Sequence, residues 1–419
     1  MNALPRLLIG LVCFCFECVT WARADNRVLV IGIDGAGGAN VIEAETPQID
    51  TLAAAGAGRY DFLNEGALAP NPPEGYGASG VNWSTILTGT SAAHHGVVDN
   101  NFVGDDFANY PHFFKLVKQF DSSLYTASLA NWIPINTFIT PDDYTDLEIG
   151  YDNGTTAQQD AMITADAIAL LQSNLDPAVI FLHFDQVDAA GHTHSWGSPQ
   201  HLAAIETVDG LIGQIVAAID ARPGVASGDE DWLILVTSDH GGQGQSHFAS
   251  QGPINWEVPF IVSGPHVPDG TAIQQGTLRD VAATALWHLG IDPFLSGLDG
   301  TIRGLPVFPP NGIVGDINQD GQVLGDGTGP AATDDVTAFL AHWLAMGGEG
   351  IADRYGRGDL NFDGTTDLSD WALLNNLNPA MGAAIARALQ AGDDHVPEPV
   401  SAQLAATLIV LLCACAKTR

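Results

Sequence analysis

The chain has 419 residues, ample for more than one domain and at least one large core. Hydrophobic residues make up 46 %, so most of it is expected to fold; charged residues are only 15 %, and 14 Lys and Arg face 49 Asp and Glu, a formal charge of −35. Such a surface excludes nucleic acid and anionic membranes as bulk electrostatic partners, and an anionic substrate would need a local positive centre, for which bound metal is the obvious source.

Residues 1–24 read as a secretory signal: Arg6, the apolar Leu7–Phe16, then Ala22-Arg23-Ala24 ahead of Asp25. A short anchor is the alternative. The five cysteines are Cys13, Cys15 and Cys18 here and Cys413 and Cys415 in the tail, which leaves the body without a disulfide framework, a thiol nucleophile or a thiolate metal site.

The apolar run Arg27–Ile33 predicts a central strand of a parallel sheet and delivers Asp34-Gly35 at its end. Glu43–Ala57 predicts one helix entered at Thr46-Pro47. A Pro- and Gly-rich loop over 71–80 ends at Ser79, and a helix is expected to begin over Ser84–Leu87. A serine where a loop meets a helix faces backbone N–H groups, which suits a nucleophile holding a phosphoryl or sulfuryl group; the same position suits an N-cap. Helices are expected over Tyr110–Phe120 and Ala157–Gln172, and a buried strand over Ala178–Phe184. That strand leads to Asp185, Asp188 and His192; the last two are spaced to chelate one ion from a single loop, or to cap the following helix, Pro199–Ala221.

Leu233–Val236 repeats the pattern, a strand opening into Asp239-His240-Gly241-Gly242 with His247 a few residues on. This is a metal-ligand set at a strand end, or a solvated turn with a stray histidine. A further strand, Pro259–Pro265, and a helix, Arg279–Leu289, close the region. The alternation predicts an α/β domain over 25–308, a mostly parallel sheet sandwiched by helices.

Beyond Pro309 two D-x-N-x-D-G loops appear, Asp316, Asn318, Asp320 and Asp359, Asn361, Asp363, each leading into a helix (Asp335–Trp343 and Asp370–Leu377). Oxygen ligands at positions 1, 3 and 5, Gly at 6 and an acid at 12 describe a calcium loop. Asp370 falls at position 12 of the second copy; in the first, an insertion, Leu324–Thr333, precedes the corresponding Asp335 and predicts weaker binding there. The paired arrangement over 309–395 resembles a type I dockerin, which implies calcium and a cohesin-like or cell-envelope partner. Residues 396–419 carry Val396-Pro397-Glu398-Pro399, an apolar run Val400–Ala416 and terminal Lys417 and Arg419. That order resembles the PEP-CTERM sorting signal, which implies export to the cell envelope, outer surface or extracellular matrix and processing by an exosortase-type enzyme. An ordinary C-terminal membrane anchor is the alternative.

The words VLVIGIDG, ETPQIDTLAAAG, SGVNWSTILTG, HGVVDN, DAAGH, TSDHGG, SHF and VPFIVSGP follow one another over roughly residues 26–308. Together they resemble the alkaline phosphatase superfamily, and within it the type I phosphodiesterase/nucleotide pyrophosphatase branch. The resemblance implies two zinc ions, one on Asp34, Ser79, Asp239 and His240, the other on Asp188, His192 and His247. Two such ions can activate a serine alkoxide and stabilise the leaving oxygen of an in-line displacement. Ser79 would attack phosphorus to give a phosphoseryl-type intermediate, and Asn82 would donate to a non-bridging oxygen.

The departures are specific. The branch has threonine where Ser79 stands, and Val81 replaces the proline before its asparagine. No arginine follows Ser79 to grip a terminal phosphate, and Ser79–Trp83 lacks the proline and arginine of a sulfatase motif. The expected activity is therefore cleavage of phosphodiester or pyrophosphate bonds in a small phosphate-ester substrate. Phosphomonoester hydrolysis is the alternative, and a non-catalytic, calcium-stabilised surface or matrix binding protein is the alternative of another class. Among the remaining candidates, His183 reads as a packed core residue, His94 and His95 as structural or supporting, and Asp185 as a supporting carboxylate.

Overall fold

The computed structural model describes residues 25–391 apart from 69–73, 142–143, 248–251, 268–269, 271–272, 294–295, 306–312, 314, 349 and 361–363. The signal-like residues 1–24 and the sorting-signal residues 396–419 therefore lie outside the described residues, as do Asn361 and Asp363.

Seven strands form one sheet: β1 (Asp25–Ile33), β2 (Ala57–Leu63), β3 (Tyr125–Ala130), β4 (Leu147–Gly150), β5 (Pro177–Phe184), β6 (Glu230–Thr237) and β7 (Glu257–Ser263), in the spatial order β2-β7-β6-β1-β5-β3-β4. The pairs β6–β1, β1–β5, β5–β3 and β3–β4 are parallel, and β7 runs antiparallel to both its neighbours, β6 and β2. The mostly parallel α/β architecture is thus present.

The reason β1 reads as a continuous apolar run is visible in its two faces. Val28 and Val30 enter one core with Val81, Trp83, Ile86 and Leu87 of the Ser79–Thr88 helix. Leu29, Ile31 and Ile33 enter another with Ile205, Val208, Ile212 and Ile215 of the Pro199–Asp220 helix. Helices cover both faces, so neither set of alternate residues meets water. Pro199–Asp220 is long and apolar enough to cross a membrane by length and composition, yet this same isoleucine stripe lies in the core.

Several expectations are corrected. The helix expected over 43–57 with its entry at Thr46-Pro47 spans Pro47–Ala54, with Thr46 at the N-cap and Pro47 in the first turn as expected, and a separate short helix, Gly38–Glu43, precedes it. Strands β2, β3 and β4 carry no long apolar run and were not expected. The helix expected from Tyr110 begins at Phe113, and the one expected from Ser84 begins at Ser79. A third apolar cluster, among them Ile317, Val336, Phe339, Trp343, Tyr355, Leu360, Leu374 and Ile385, holds the C-terminal region together.

Candidate active site

Adjacent parallel strands end level with one another: Gly32 of β1 lies opposite His183 of β5 and Thr237 of β6. The residues just beyond those carboxyl ends therefore meet, where open α/β sheets bind ligands. Asp34 follows β1, Asp239 and His240 follow β6, and β5 runs into the helix Gln186–His194 that carries Asp188 and His192. Asp188 and His192 were expected on a loop; they sit one turn apart on a helix face, with His192 Nε2 3.4 Å from Asp188 Oδ2. They do not cap the next helix, since Ser198 does so by accepting the His201 N–H at 3.2 Å. The turn that presents Asp188 is braced by buried Asp160, whose carboxylate accepts the Asp185 and Gln186 N–H groups at 3.0 Å each. Gly35, at φ +74°, permits the close approach: a Cβ there would stand 2.8 Å from the Asp188 Cα.

Ser79 is the first residue of the wholly buried helix Ser79–Thr88, and Ala78 occupies the N-cap. The capping role is therefore not the one it plays. Its Oγ lies 3.2 Å from His240 Nε2, which is also 3.4 Å from Asp34 Oδ1 and 3.2 Å from Asp239 Oδ2. On the other side Asp188, His192 and His247 each bring a ligand-type atom within 4.8 Å of one another, and Asp188 does the same with Asp34 and His240. The seven expected positions thus converge as two abutting groups with Asp188 at their junction.

The protonation pattern follows from the partners. His240 Nδ1 faces Gly241 O at 3.0 Å, His247 Nδ1 faces Gly77 O at 2.9 Å, and His192 Nδ1 faces Gln245 O at 3.0 Å. A carbonyl oxygen only accepts, so each Nδ1 carries the proton and each Nε2 is the lone-pair nitrogen, as in metal-binding histidines. Burial, then the neighbouring His247, holds His240 well below the usual imidazole range, and burial also lowers His247. Burial, then Asp34, pushes the Asp188 and Asp239 carboxyls well above theirs. Burial would raise Asp34 too, but the His183 hydrogen bond and His240 outweigh it and hold Asp34 low. Among the described residues, Asp34 Oδ1, Asp188 Oδ1 and Asp239 Oδ2 are buried without a hydrogen bond. Carboxylate oxygens and lone-pair nitrogens facing one another, with the Ser79 hydroxyl beside His240 Nε2, form a set rich in acceptors, and that set fits divalent cations of oxygen- and nitrogen-binding type.

Asn82 departs from expectation, and Asn100 and His183 make contacts that were not expected. Asn82, expected to reach a substrate oxygen, is fully buried; its Nδ2 donates to Ala78 O at 3.2 Å and its Oδ1 accepts the Glu65 N–H at 3.1 Å, so it braces the start of the helix. The side-chain amide that meets the backbone beside the nucleophile is Asn100, whose Oδ1 accepts the Gly80 N–H at 2.7 Å. Its signal was present in the sequence, as the last residue of HGVVDN. His183 is buried as expected, yet its Nε2 lies 3.0 Å from Asp34 Oδ2. His95 is structural, held between the Val97 N–H and Thr85 Oγ1, and His94 pairs with Asp299.

In the C-terminal region Asp316 accepts the Gly321 N–H at 2.8 Å, and Asp359 the corresponding Gly364 N–H at 3.0 Å. Asp335 accepts the N–H of Leu324 at 2.8 Å, and Asp370 that of Asp367 at 2.7 Å; both donors stand ninth in their loops. Asp335 also takes the Asn318 N–H, and Asp320 N–H is shared by Asp316 and Asn318. The insertion leaves this closure intact because it folds around a separate carboxylate, Asp334, which accepts the N–H groups of Asp326, Gly327, Gly329 and Thr337.

Among curated proteins, the chain is similar to 2,3-bisphosphoglycerate-independent phosphoglycerate mutases. It is 32 % identical to that of Desulforudis audaxviator over 117 residues, covering 27 % of this chain and 21 % of that protein. It is 34 % identical to that of Haloarcula marismortui over 122 residues, covering 28 % and 22 %. The chain thus spans about a fifth of the length of the curated relatives it matches. Solved structures similar to it include murine ectonucleotide pyrophosphatase/phosphodiesterase 5 in complex with AMP, with TM-score 0.49, 13 % identity and coverage of 64 % of this chain and 95 % of that one. A 2-O GAG sulfatase gives TM-score 0.47 and 12 % identity over 63 % and 70 %. The family model described as type I phosphodiesterase / nucleotide pyrophosphatase matches residues 28–284, more than half of the 419, and the chain belongs to that family of the alkaline phosphatase superfamily.

Proposed function

We propose that the protein is an exported metal-dependent hydrolase of phosphodiester or pyrophosphate bonds that works through a covalent phosphoseryl-type intermediate on Ser79. The observation that carries this reading is the set of three buried carboxylate oxygens without hydrogen bonds, gathered around lone-pair imidazole nitrogens beside the Ser79 hydroxyl. Asp34, Ser79, Asp239 and His240 would hold one zinc ion and Asp188, His192 and His247 the other. Bound there, the ions would supply positive charge to lower the hydroxyl pKa and to stabilise charge on the leaving oxygen.

The chain's own residues supply the rest. Ser79 Oγ forms the bond to phosphorus while the bond to the leaving oxygen breaks, its proton ending through solvent on that oxygen, and water then hydrolyses the seryl ester, its hydroxyl staying on phosphorus and its proton returning to Ser79. Rigid presentation of Ser79 on a buried helix limits the motion needed to reach the reacting geometry. Asn100, rather than Asn82, is the amide we assign to a non-bridging phosphoryl oxygen, because bonding to Gly80 consumes its Oδ1 and leaves an N–H donor beside Ser79. The absence of an arginine after Ser79 in the sequence favours diesters over terminal phosphates.

The C-terminal loops would bind two calcium ions, through Asp316, Asn318, Asp320 and Asp335 and through Asp359, Asn361, Asp363 and Asp370. The equivalent closure of the two loops supports comparable occupancy of both. Their pairing supports a dockerin-like module with a cohesin-like or envelope partner. The sequence of residues 1–24 and 396–419 supports export and exosortase-type sorting to the cell surface or matrix. Rates on bis-p-nitrophenyl phosphate, p-nitrophenyl phosphate and p-nitrophenyl sulfate, with zinc and after chelation, test the activity. Turnover led by the diester supports the assignment; faster monoester turnover favours the phosphatase alternative, and no turnover with zinc restored overturns both.

A further inference from the structure

We propose that His183 and Trp83 form a clamp that fixes which Asp34 oxygen faces the cation, with the backbone of Trp132 setting the tautomer that makes the clamp work. The inference rests on the metal reading above and assigns no group that touches substrate; His183 and Trp83 are positioning residues.

Three hydrogen bonds carry it. Trp83 Nε1, a donor only, lies 3.0 Å from Asp34 Oδ2, and His183 Nε2 lies 3.0 Å from the same oxygen. Trp132 N–H donates to His183 Nδ1 at 3.3 Å. Because that nitrogen accepts, Nε2 carries the proton and donates to Asp34. Two donors converge on Oδ2, while Oδ1 has no hydrogen bond among the described residues and stands 3.4 Å from His240 Nε2. The carboxylate is held in one plane, with one oxygen bound to the protein and the other presented to the cluster.

The packing around the clamp is built for this arrangement. His183 sits opposite Gly32 in the β1–β5 register, one strand away from Asp34. A Cβ at Gly32 would collide with the Trp83 ring, so glycine there opens the space that lets the indole reach Asp34. The Trp83 and His183 rings pack edge to face with centroids 4.8 Å apart, and all three side chains are buried. A histidine that served packing alone would not need its second nitrogen anchored to a main-chain donor.

The test is zinc binding by competition with a chromophoric chelator, using the full chain. The wild type is expected to show two sites. His183→Phe and Trp83→Phe, which keep a ring but remove the donor, should each weaken one site about 10- to 100-fold and leave the other unchanged. His183→Gln, which returns an N–H near the position of Nε2, should recover affinity to within a few fold. The unaffected Asp188–His192–His247 site serves as the internal control for folding. Parallel weakening of both sites, failure of His183→Gln to recover affinity, or wild-type affinity in both phenylalanine variants overturns the clamp while leaving the metal reading intact. A wild type that binds no zinc overturns the metal reading, and the clamp with it.

Discussion

In the C-terminal loops Asp335 and Asp370 each set both carboxylate oxygens against backbone N–H groups, drawn from no more than 17 residues away. At the end of the sheet Asp34, Asp188 and Asp239 each keep a buried oxygen without a hydrogen bond, and Ser79 and His240 meet across 161 residues. The Asp335 and Asp370 carboxylates are thus met by local backbone donors, without help from distant parts of the fold. The sheet-end cluster gathers acceptors forced together by the whole fold, an arrangement that fits a divalent cation and in which burial otherwise favours the protonated forms of Asp188 and Asp239. Calcium should therefore tune the stability of the one region, whereas metal removal should leave the other folded but electrostatically frustrated.

The largest effect expected is on catalysis. Ser79→Ala should lower turnover of bis-p-nitrophenyl phosphate at least about a thousandfold, read from initial rates, because the covalent step is lost. Residual turnover within tenfold of wild type would show that Ser79 is not the nucleophile. In the loops, Asp335→Ala and Asp370→Ala should each remove one calcium from a titration of the full chain and cost about 2–4 kcal/mol of calcium-dependent stability. Equal losses would confirm that the insertion leaves loop one competent; silence at Asp335 would restore the expectation of a weak loop.

Acid should separate the two regions as well. Burial, then Arg279, lowers the His95 imidazole to about 3, so the folded chain keeps it neutral while the unfolded chain takes up a proton below about 6.5. Stability that is complete above the unfolded value is then lost as pH falls from about 6.5 towards 3. His95 alone contributes a slope of about 1.4 kcal/mol per pH unit inside that window, and His95→Gln should flatten the denaturation profile by that amount. The smallest effect is the most diagnostic. Asp239→Asn should stabilise the metal-free protein by about 1 kcal/mol, by relieving repulsion from Asp34 and Asp188, yet weaken the metal-loaded form. The same sign in both states would remove the argument from frustrated acceptors.

Much of the site was legible because ligand chemistry clusters at strand ends: Asp34, Asp188, His192, Asp239, His240 and His247 all lie within about ten residues of an apolar run recognised as a strand. What was misread is equally specific. Asn82 and Asn100 both follow Ser79 in the chain, and only packing reveals that the first meets Glu65 and Ala78 while the second meets Gly80. His183 looked like core because it is core; its hydrogen bond to Asp34 depends on β1–β5 register, which no local pattern encodes. Strands β3 and β4 escaped notice because Tyr125–Ala130 and Leu147–Gly150 are short and partly polar.

By itself the sequence determined the alternation of strand and helix, the ligand types, the serine at a helix start and the two D-x-N-x-D-G loops, all properties of chemistry and spacing within a few residues. Tertiary structure alone decided that Ser79 leaves the N-cap to Ala78, that Asp188 joins two ligand groups, and that Asp335 closes its loop across ten intervening residues (325–334). These depend on long-range burial and strand register, which bring donors and acceptors together or hold them apart regardless of their distance along the chain.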